Sequence, residues 1–146
     1  MKSLDSYLAE YAESHRHPTN VRLHTICVPL ITWSLLGFLH TFELGIGTLR
    51  VSHVFVLFAL GYYAAFRNGV VFLTMALASA LMILSFDLIP ELRAVSILVF
   101  VIGWIGQFYG HKVEGKKPSF FKDLAFLLIG PLWVLQKLSG FFKKSF

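Results

Sequence analysis

Long stretches without a charged residue alternate with short polar segments along this chain. Four charge-free stretches cover residues 23–42, 51–66, 68–86 and 94–111. Each approaches the roughly 20 residues that an α-helix needs to cross the hydrocarbon core of a bilayer. The pattern predicts an all-α fold, a polytopic membrane helical bundle with spanning helices at about 21–41, 51–66, 70–87 and 94–111.

Two shorter segments flank the predicted spans. In residues 3–14 the apolar positions recur with helical spacing, at Leu4, Tyr7, Leu8, Tyr11 and Ala12. This spacing predicts an N-terminal amphipathic helix in the headgroup region, with its tyrosines at the interface and a following helix capped by Thr19 or Asn20. Segment 124–136 is short and is interrupted by Gly130–Pro131, which favours a C-terminal re-entrant or interfacial helix. We treat residues 1–146 as a single membrane domain.

Composition supports a protein that is integral to a membrane. The chain is 56% hydrophobic and 14% charged, whereas an average soluble domain has about 25% charged residues. The chain has one cysteine, Cys27, which excludes an internal disulfide and a cysteine-based zinc site. We expect Cys27 to serve in packing.

The distribution of lysine and arginine predicts the topology. With a cytoplasmic N-terminus and four crossings, the far side holds only Arg50 and Arg93. The cytoplasmic side then holds eleven cations: Lys2, Arg16, Arg22, Arg67, Lys112, Lys116, Lys117, Lys122, Lys137, Lys143 and Lys144. A fifth crossing by segment 124–136 would reduce this split to eight against five, so both termini are predicted to be cytoplasmic. The net charge of +5 reflects this bias and is no indication of nucleic-acid binding.

The histidines separate by predicted depth. His40 and His53 lie at the far ends of the first two spans, while His15, His17, His24 and His111 belong to the cytoplasmic side. Ionisable groups at the membrane edge often face a functional interior, and imidazole is a common ligand of iron and zinc. These histidines could equally be interfacial residues that hydrogen-bond lipid phosphates, and spacing alone leaves both interpretations open.

A polar stripe ends the fourth apolar run. Gln107, His111 and Glu114 fall at i, i+4 and i+7, so they share one helix face. Gln107 lies deeper than an interfacial side chain and could hold a ligand histidine, while Asn20 is either a helix cap or another such hydrogen-bonding partner. A neighbouring stripe of glycines at 103, 106 and 110 predicts close helix packing.

Two stretches of the sequence carry a family resemblance. "HRHPTNVRLHTICVPL" and "WIGQFYGHKVEGKKPSFFKDLAFLLIGPLWVL" resemble the membrane family of the fungal 2-hydroxy fatty acid dioxygenase of phytosphingosine α-oxidation and its bacterial relatives, formerly a domain of unknown function. The matching positions are His15, Pro18, Asn20, His24, Trp104, Gln107, Phe108, Gly110, His111, Glu114 and Pro118. His17 stands where the family often has asparagine, so no ligand role is carried over to it.

The resemblance implies an activity and a set of site residues. It implies an Fe(II)-dependent dioxygenase that converts a 2-hydroxy fatty acid and O2 to the fatty acid one carbon shorter. It also implies metal ligation by His15, His24 and His111, with Glu114 a further ligand or the partner that orients one. Glu114 and Gln107 are then the catalytic candidates. The residues expected to support the metal ligands are Asn20, Gln107 and His17. The metal site would face the cytoplasm at a bacterial inner membrane, or at the endoplasmic reticulum in a eukaryote.

Two other classes of function compete with an enzyme. The first is a non-catalytic membrane scaffold or lipid-binding protein whose histidines line the interface. The second is a small metal or proton transporter, which would distribute ionisable residues through the membrane thickness. The second and third predicted spans carry none in their interiors, which counts against transport. The resemblance implies a 2-hydroxy fatty acid and O2 as partners, the apolar runs imply contact with the lipid bilayer, and no nucleic acid is expected.

Overall fold

The computed structural model describes residues 1–139 and is helical throughout its named elements. The α-helices are α1 (Leu4–Glu13), α2 (Pro18–His40), α3 (Val51–Ala64), α4 (Gly69–Phe86), α5 (Leu92–Glu114) and α6 (Phe126–Ser139). A short 3-10 turn at Ser119–Phe121 precedes α6. The all-α fold predicted from the sequence is confirmed. Lys143 and Lys144, which contribute to the predicted charge asymmetry, lie outside the described residues.

Three of these helices are long and apolar enough to cross a membrane. They are α2 and α5, with 23 residues each, and α4, with 18 residues. Helices α3 and α6 have 14 residues each, which at about 1.5 Å per residue falls short of a hydrocarbon core of about 30 Å. The structure thus supports an integral membrane protein, and the fourth span stays a prediction.

The chain divides into two compact units. The first, here called the terminal unit, combines residues 1–30 with the described chain from Ile102 onward. The second, here called the central unit, consists of residues 31–101. Helices α2 and α5 each contribute one end to the terminal unit, which also contains α1 and α6.

Helix α1 packs its apolar face against α6 within the terminal unit. The rings of Tyr7 and Phe126 meet edge to face with centroids 5.5 Å apart, and Tyr11 lies 5.3 Å from Trp133. Tyr7 and Tyr11 are only 5% and 6% exposed, so the expectation of interfacial tyrosines was wrong. The amphipathic pattern was interpreted as a lipid-facing surface, whereas α6 supplies an apolar partner for it.

Helix α6 continues through the Gly130–Pro131 pair that was expected to interrupt it. Pro131, the sixth residue of the helix, has no backbone N–H to donate, and α6 is nonetheless continuous from Phe126 to Ser139. At Gly130 a Cβ would come within 3.1 Å of the Tyr11 hydroxyl. The glycine therefore allows α1 to approach α6 closely.

Glycines on α5 allow an equally close approach to α2. A Cβ at Gly106 would lie 2.6 Å from Sγ of Cys27, and one at Gly110 would collide with Oδ1 of Asn20. The close helix packing predicted from the glycine stripe is confirmed, and so is the packing role of the buried Cys27. This contact brings the histidine-bearing ends of α2 and α5 together.

The central unit contains the α3–α4 hairpin. The turn uses a left-handed backbone at Arg67, with φ of 56°. Asn68 then caps α4, because its side-chain oxygen accepts hydrogen bonds from the backbone N–H of Val70 and Val71 at 3.1 and 3.2 Å. Residues 65–68 thus form a tight connection between α3 and α4.

Candidate metal centre

Three buried histidines meet in the terminal unit. His15 follows α1, His24 lies one and a half turns into α2, and His111 lies in the last turn of α5. Their ring centroids are 4.2 to 4.8 Å apart, and one nitrogen from each ring lies within 4.8 Å of the others. Their exposed fractions are 4%, 2% and 5%. Within residues 1–139 this is the one such group of three or more metal-ligating side chains.

A backbone carbonyl holds the Nδ1 atom of each ring. His15 Nδ1 bonds the carbonyl of Tyr11, and His24 Nδ1 lies 3.0 Å from the carbonyl of Asn20, in both cases four residues earlier in the chain. His111 Nδ1 lies 3.1 Å from the carbonyl of Lys116. Since a carbonyl can only accept, each Nδ1 carries the proton and donates it.

The third of these bonds depends on how α5 ends. Gly115 follows the helix with φ of 76°, a left-handed conformation that suits glycine. Its N–H donates to the His111 carbonyl at 3.0 Å, and the reversed chain turns the Lys116 carbonyl back toward the His111 ring. The left-handed turn at Gly115 thus both terminates α5 and brings the Lys116 carbonyl, the hydrogen-bond acceptor, to the His111 ring.

The tautomers leave three lone pairs directed at one another. With the proton on Nδ1, each Nε2 has a lone pair and no hydrogen. His24 Nε2 and His111 Nε2 are nevertheless 3.0 Å apart, and His15 Nε2 is buried without a hydrogen-bond partner. Two facing acceptors repel, and a buried acceptor without a donor costs about 1–3 kcal/mol. A cation among the three Nε2 atoms satisfies all of them, so the donor set fits a metal ion.

The surroundings keep the centre dry and its imidazoles neutral. Tyr11 stacks on His15 with centroids 4.1 Å apart and planes 7° apart, and Trp133 lies 5.2 Å from the same ring. Burial lowers the pKa of the His15 imidazole to about 4. At neutral pH the ring is therefore in the form that binds a metal.

Glu114 lies beside the cluster and faces the backbone. Its Oε1 accepts a hydrogen bond from the Arg16 N–H at 3.0 Å, and its Oε2 accepts one from the His17 N–H at 2.7 Å. The side-chain amide of Asn20 adds a third bond to Oε2 at 3.2 Å. The carboxylate thus fastens the segment that follows His15 to the end of α5, and it is not among the converging ligand atoms.

Asn20 and His17 occupy different environments. Asn20 is fully buried, and its amide also donates to the Ser14 carbonyl at 3.0 Å, so it links the His15 segment to α2. His17 is exposed, and its Nδ1 accepts a hydrogen bond from the Thr19 N–H at 3.2 Å. His17 therefore caps α2, and the expectation that Thr19 or Asn20 does so was wrong because the helix begins earlier, at Pro18.

The remaining candidates are placed as follows. Gln107 is 6% exposed and lies one turn before His111 on α5. In the central unit, His40 Nδ1 lies 2.8 Å from the Ser52 hydroxyl, and His53 Nδ1 accepts the Arg50 N–H at 2.9 Å. The structure brings together His15, His24 and His111, while His40 and His53 have hydrogen-bonding partners of their own.

Sequence reasoning missed the groups that orient the histidines. It assigned this role to side chains, whereas the structure uses the carbonyls of Tyr11, Asn20 and Lys116. No residue type marks these carbonyls in the sequence, since every residue supplies one, and only the glycine that follows the α5 pattern at Gly115 indicates that the chain reverses beside His111. The stacking of Tyr11 on His15 had no comparable signal, because it depends on the packing of α1 against α6.

Comparisons with known proteins add independent findings. The sequence profile of a family described as "Mpo1-like: 2-hydroxy-palmitic acid dioxygenase Mpo1-like" matches residues 1–142. A protein of Saccharomyces cerevisiae named "2-hydroxy-palmitic acid dioxygenase MPO1" is 30% identical over 139 residues, covering 90% of this chain and 77% of the yeast protein. No solved structure matches.

Proposed function

The chain belongs to the Mpo1-like family of 2-hydroxy-palmitic acid dioxygenases, and from this premise we propose that it is an Fe(II)-dependent 2-hydroxy fatty acid dioxygenase of fatty acid α-oxidation. The observation that carries the proposal is the convergence of three buried Nε2 lone pairs at His15, His24 and His111. Three neutral histidines would also bind other divalent metals. We therefore propose iron because of the reaction, not because of the ligands.

The proposed reaction balances with O2 as the sole oxidant. A 2-hydroxy fatty acid loses its carboxyl carbon as CO2, and its hydroxyl-bearing carbon becomes the carboxyl of an acid one carbon shorter. This change removes four electrons, and the reduction of O2 consumes the same number, so the balanced products are the shortened acid, CO2 and water. Neither a separate reductant nor 2-oxoglutarate is needed.

Iron is the metal that suits this chemistry. When bound, Fe(II) supplies a redox-active centre for O2 chemistry, which zinc, having no accessible second oxidation state, does not. In this proposal His15, His24 and His111 hold the ion, and their Nδ1–H bonds to carbonyls fix the tautomer in which Nε2 binds. Three neutral histidine ligands would leave the ion able to bind the substrate as well.

The other residues of the site act through position and water exclusion. Tyr11 and Trp133 cover the His15 ring and keep solvent from that side. Glu114 and Asn20 fix the segment that carries His15, which supports an orienting role for Glu114. Gln107, buried one turn before His111 on α5, is proposed to help hold that histidine in place.

Membrane location fits the substrate. A fatty acid partitions into the bilayer, where apolar helices such as α4 and α5 border the acyl chains. The proposed topology has four spans and cytoplasmic termini, and it places the metal centre at the cytoplasmic side, where the acid headgroup meets water. Lysines near this surface favour anionic headgroups.

A non-catalytic scaffold or lipid-binding protein is the alternative. Such a protein has no need to bury three histidines with their lone pairs facing one another. Interfacial histidines that serve lipid phosphates would remain partly exposed, whereas these three are at most 5% exposed. The burial therefore favours the metalloenzyme.

Anaerobic reconstitution tests the proposed function. Purified protein is loaded with Fe(II) in the absence of oxygen, mixed with 2-hydroxypalmitate, exposed to O2 and analysed by mass spectrometry. We expect a fifteen-carbon acid and one CO2 for each O2 consumed. Iron-dependent turnover that is lost in His24→Ala but retained in His53→Ala would support the site. Bound iron with unchanged 2-hydroxypalmitate would contradict the proposed reaction.

A further inference from the structure

A groove opens at the C-terminal end of α5, next to the histidine cluster. Its volume is about 500 Å³, within the range typical of small-molecule sites. Its principal lining residues are Phe108, His111, Lys112, Lys116, Lys117 and Phe121. His111 belongs to both the groove and the histidine cluster, so a molecule in this groove lies against a residue of the proposed metal centre.

The charge of the groove is entirely positive. None of the residues that line it is acidic. Lys116 directs its ammonium group to the Glu13 carbonyl at 3.0 Å, whereas the side chains of Lys112 and Lys117 are exposed. Two ammonium groups at the rim of a small groove are suited to a carboxylate.

The apolar part of the groove is aromatic. Phe108 is 49% exposed and Phe121 is 63% exposed, although both are large hydrophobic residues. Both rings offer an apolar surface against which an alkyl chain can pack. The groove thus offers a cationic end and an apolar end, which is the division found in a fatty acid.

A neighbouring cavity is less suited to an acid. It has a volume of about 480 Å³ and shares Lys116, Lys117 and Phe121 with the groove. Its lining also includes the carboxylates of Glu10 and Glu13, which repel an anion. The charge pattern therefore distinguishes the two cavities.

We propose that the groove beside His111 binds the fatty acid substrate, with Lys112 and Lys117 recognising its carboxylate and Phe108 and Phe121 contacting the adjacent alkyl carbons. The assignment rests on the proposed function, since it places the acid at the same centre. It adds a determinant of specificity, namely preference for a free acid over its ester. The metal is not required for this recognition.

A competition assay on metal-free protein tests the assignment. The protein is held in nanodiscs of phosphatidylcholine, a lipid without net charge, and a photoreactive palmitate analogue is displaced by 2-hydroxypalmitate or by its methyl ester. We expect the acid to bind about 10-fold more tightly than the ester, as charge-assisted hydrogen bonds allow. Lys112→Gln combined with Lys117→Gln should abolish this preference.

The matched control removes two exposed cations elsewhere. Arg22→Gln combined with Lys122→Gln makes the same change in net charge and leaves the groove residues unchanged. This control should retain the preference for the acid. Loss of the preference in both double variants would indicate a general effect of surface charge and would overturn the assignment.

A direct label locates the alkyl chain. With a diazirine close to the carboxylate, the photoreactive analogue should modify peptides that contain Phe108 or Phe121. Labelling confined to other peptides would overturn the assignment. The assignment would also be overturned if phosphatidylserine displaced the analogue as effectively as 2-hydroxypalmitate does. The occupant of the groove would then be a lipid headgroup.

These outcomes are separable from failure of the proposed function. A protein that binds the acid at the groove but shows no turnover with iron contradicts the reaction and leaves the groove assignment standing. If the Lys112 and Lys117 double variant keeps normal turnover and an unchanged preference for the acid, only the assignment of the groove is contradicted. Binding is measured without iron, so neither result depends on the other.

Discussion

The Nε2 atoms of His24 and His111 face each other at 3.0 Å, and neither carries a hydrogen because each ring donates from Nδ1 to a backbone carbonyl. A buried contact between two acceptors is unfavourable by itself. A metal ion bound between the two atoms would replace that repulsion with two coordination bonds. The packing of α2 against α5 therefore creates a site that favours a bound cation.

Removal of one of these histidines should abolish metal binding. We expect His24→Ala to lose stoichiometric iron and turnover together, because it removes one of three ligands. His53→Ala and His40→Ala should retain iron near the normal level, since their rings bond to groups of the central unit. Elemental analysis of protein purified without added metal measures the difference. Iron lost from His40→Ala but kept by His24→Ala would refute the assignment.

Glu114→Gln tests the orienting role of the carboxylate. The substitution keeps the shape but places an NH2 group against the N–H of Arg16 or His17, where only an acceptor fits. We expect iron affinity to fall by roughly 10–100-fold, as for other residues that support metal ligands. Titration with Fe(II) under anaerobic conditions measures the affinity. Complete loss of binding, matching His24→Ala, would instead make Glu114 a ligand.

Gly115→Ala tests the carbonyl that holds His111. A side chain at φ of 76° is strained, and relief of that strain would move the Lys116 carbonyl away from Nδ1 of His111. We expect weaker iron binding together with a lower melting temperature. Gly45→Ala is the matched control, because Gly45 has φ of 73° and open space around its Cβ position. It should lower stability by a similar amount and leave iron affinity unchanged.

The packing of α5 on α2 can be tested by a compensating pair of substitutions. Gly106→Ala places a methyl group 2.6 Å from Sγ of Cys27, and overpacking of this kind costs about 1–3 kcal/mol. Cys27→Ala removes the sulfur and leaves its Cβ at 3.9 Å, so the double variant should recover most of the loss. Thermal unfolding in detergent measures each variant. Gly61→Ala, with nothing within 4 Å of the added methyl, should not destabilise the protein and should gain up to about 1 kcal/mol, because alanine favours a helix more than glycine does.

The predicted topology can be tested with terminal fusions. Both termini are expected on the cytoplasmic side, because this arrangement places eleven cations there and two on the far side. A reporter that is active only in the cytoplasm should therefore work after Phe146. Activity restricted to a reporter of the far side would show a fifth crossing by α6.

Much of the fold follows from local pattern. Charge-free runs located α2 to α5 within a few residues, because the need to bury or embed apolar side chains acts on every turn. The partner of the apolar face of α1 was predicted wrongly, for a physical reason. An apolar helix face is equally satisfied by lipid or by another helix, and only the tertiary structure shows that α6 covers Tyr7 and Tyr11.

The candidate site was predicted in part. The three histidines were selected by leaflet and by family resemblance, and the structure brings their rings together. The hydrogen bonds that orient them could not be derived, because backbone carbonyls are present at every residue and leave no compositional signal. Glu114 illustrates the same limit. Its spacing from His111 places it on the right helix face, but the N–H groups of Arg16 and His17 that it binds depend on a distant loop.

The spacing of the three histidines along the chain has a consequence for biogenesis. His15 and His24 are made early, but His111 and the Lys116 carbonyl that orients it are made only after most of the chain has been synthesised. Under the proposed function the donor set is complete only after α5 has joined α2, so iron would be bound after membrane insertion. A nascent chain arrested before residue 111 carries two of the three ligands and should not retain the ion, which makes iron occupancy a late marker of correct assembly.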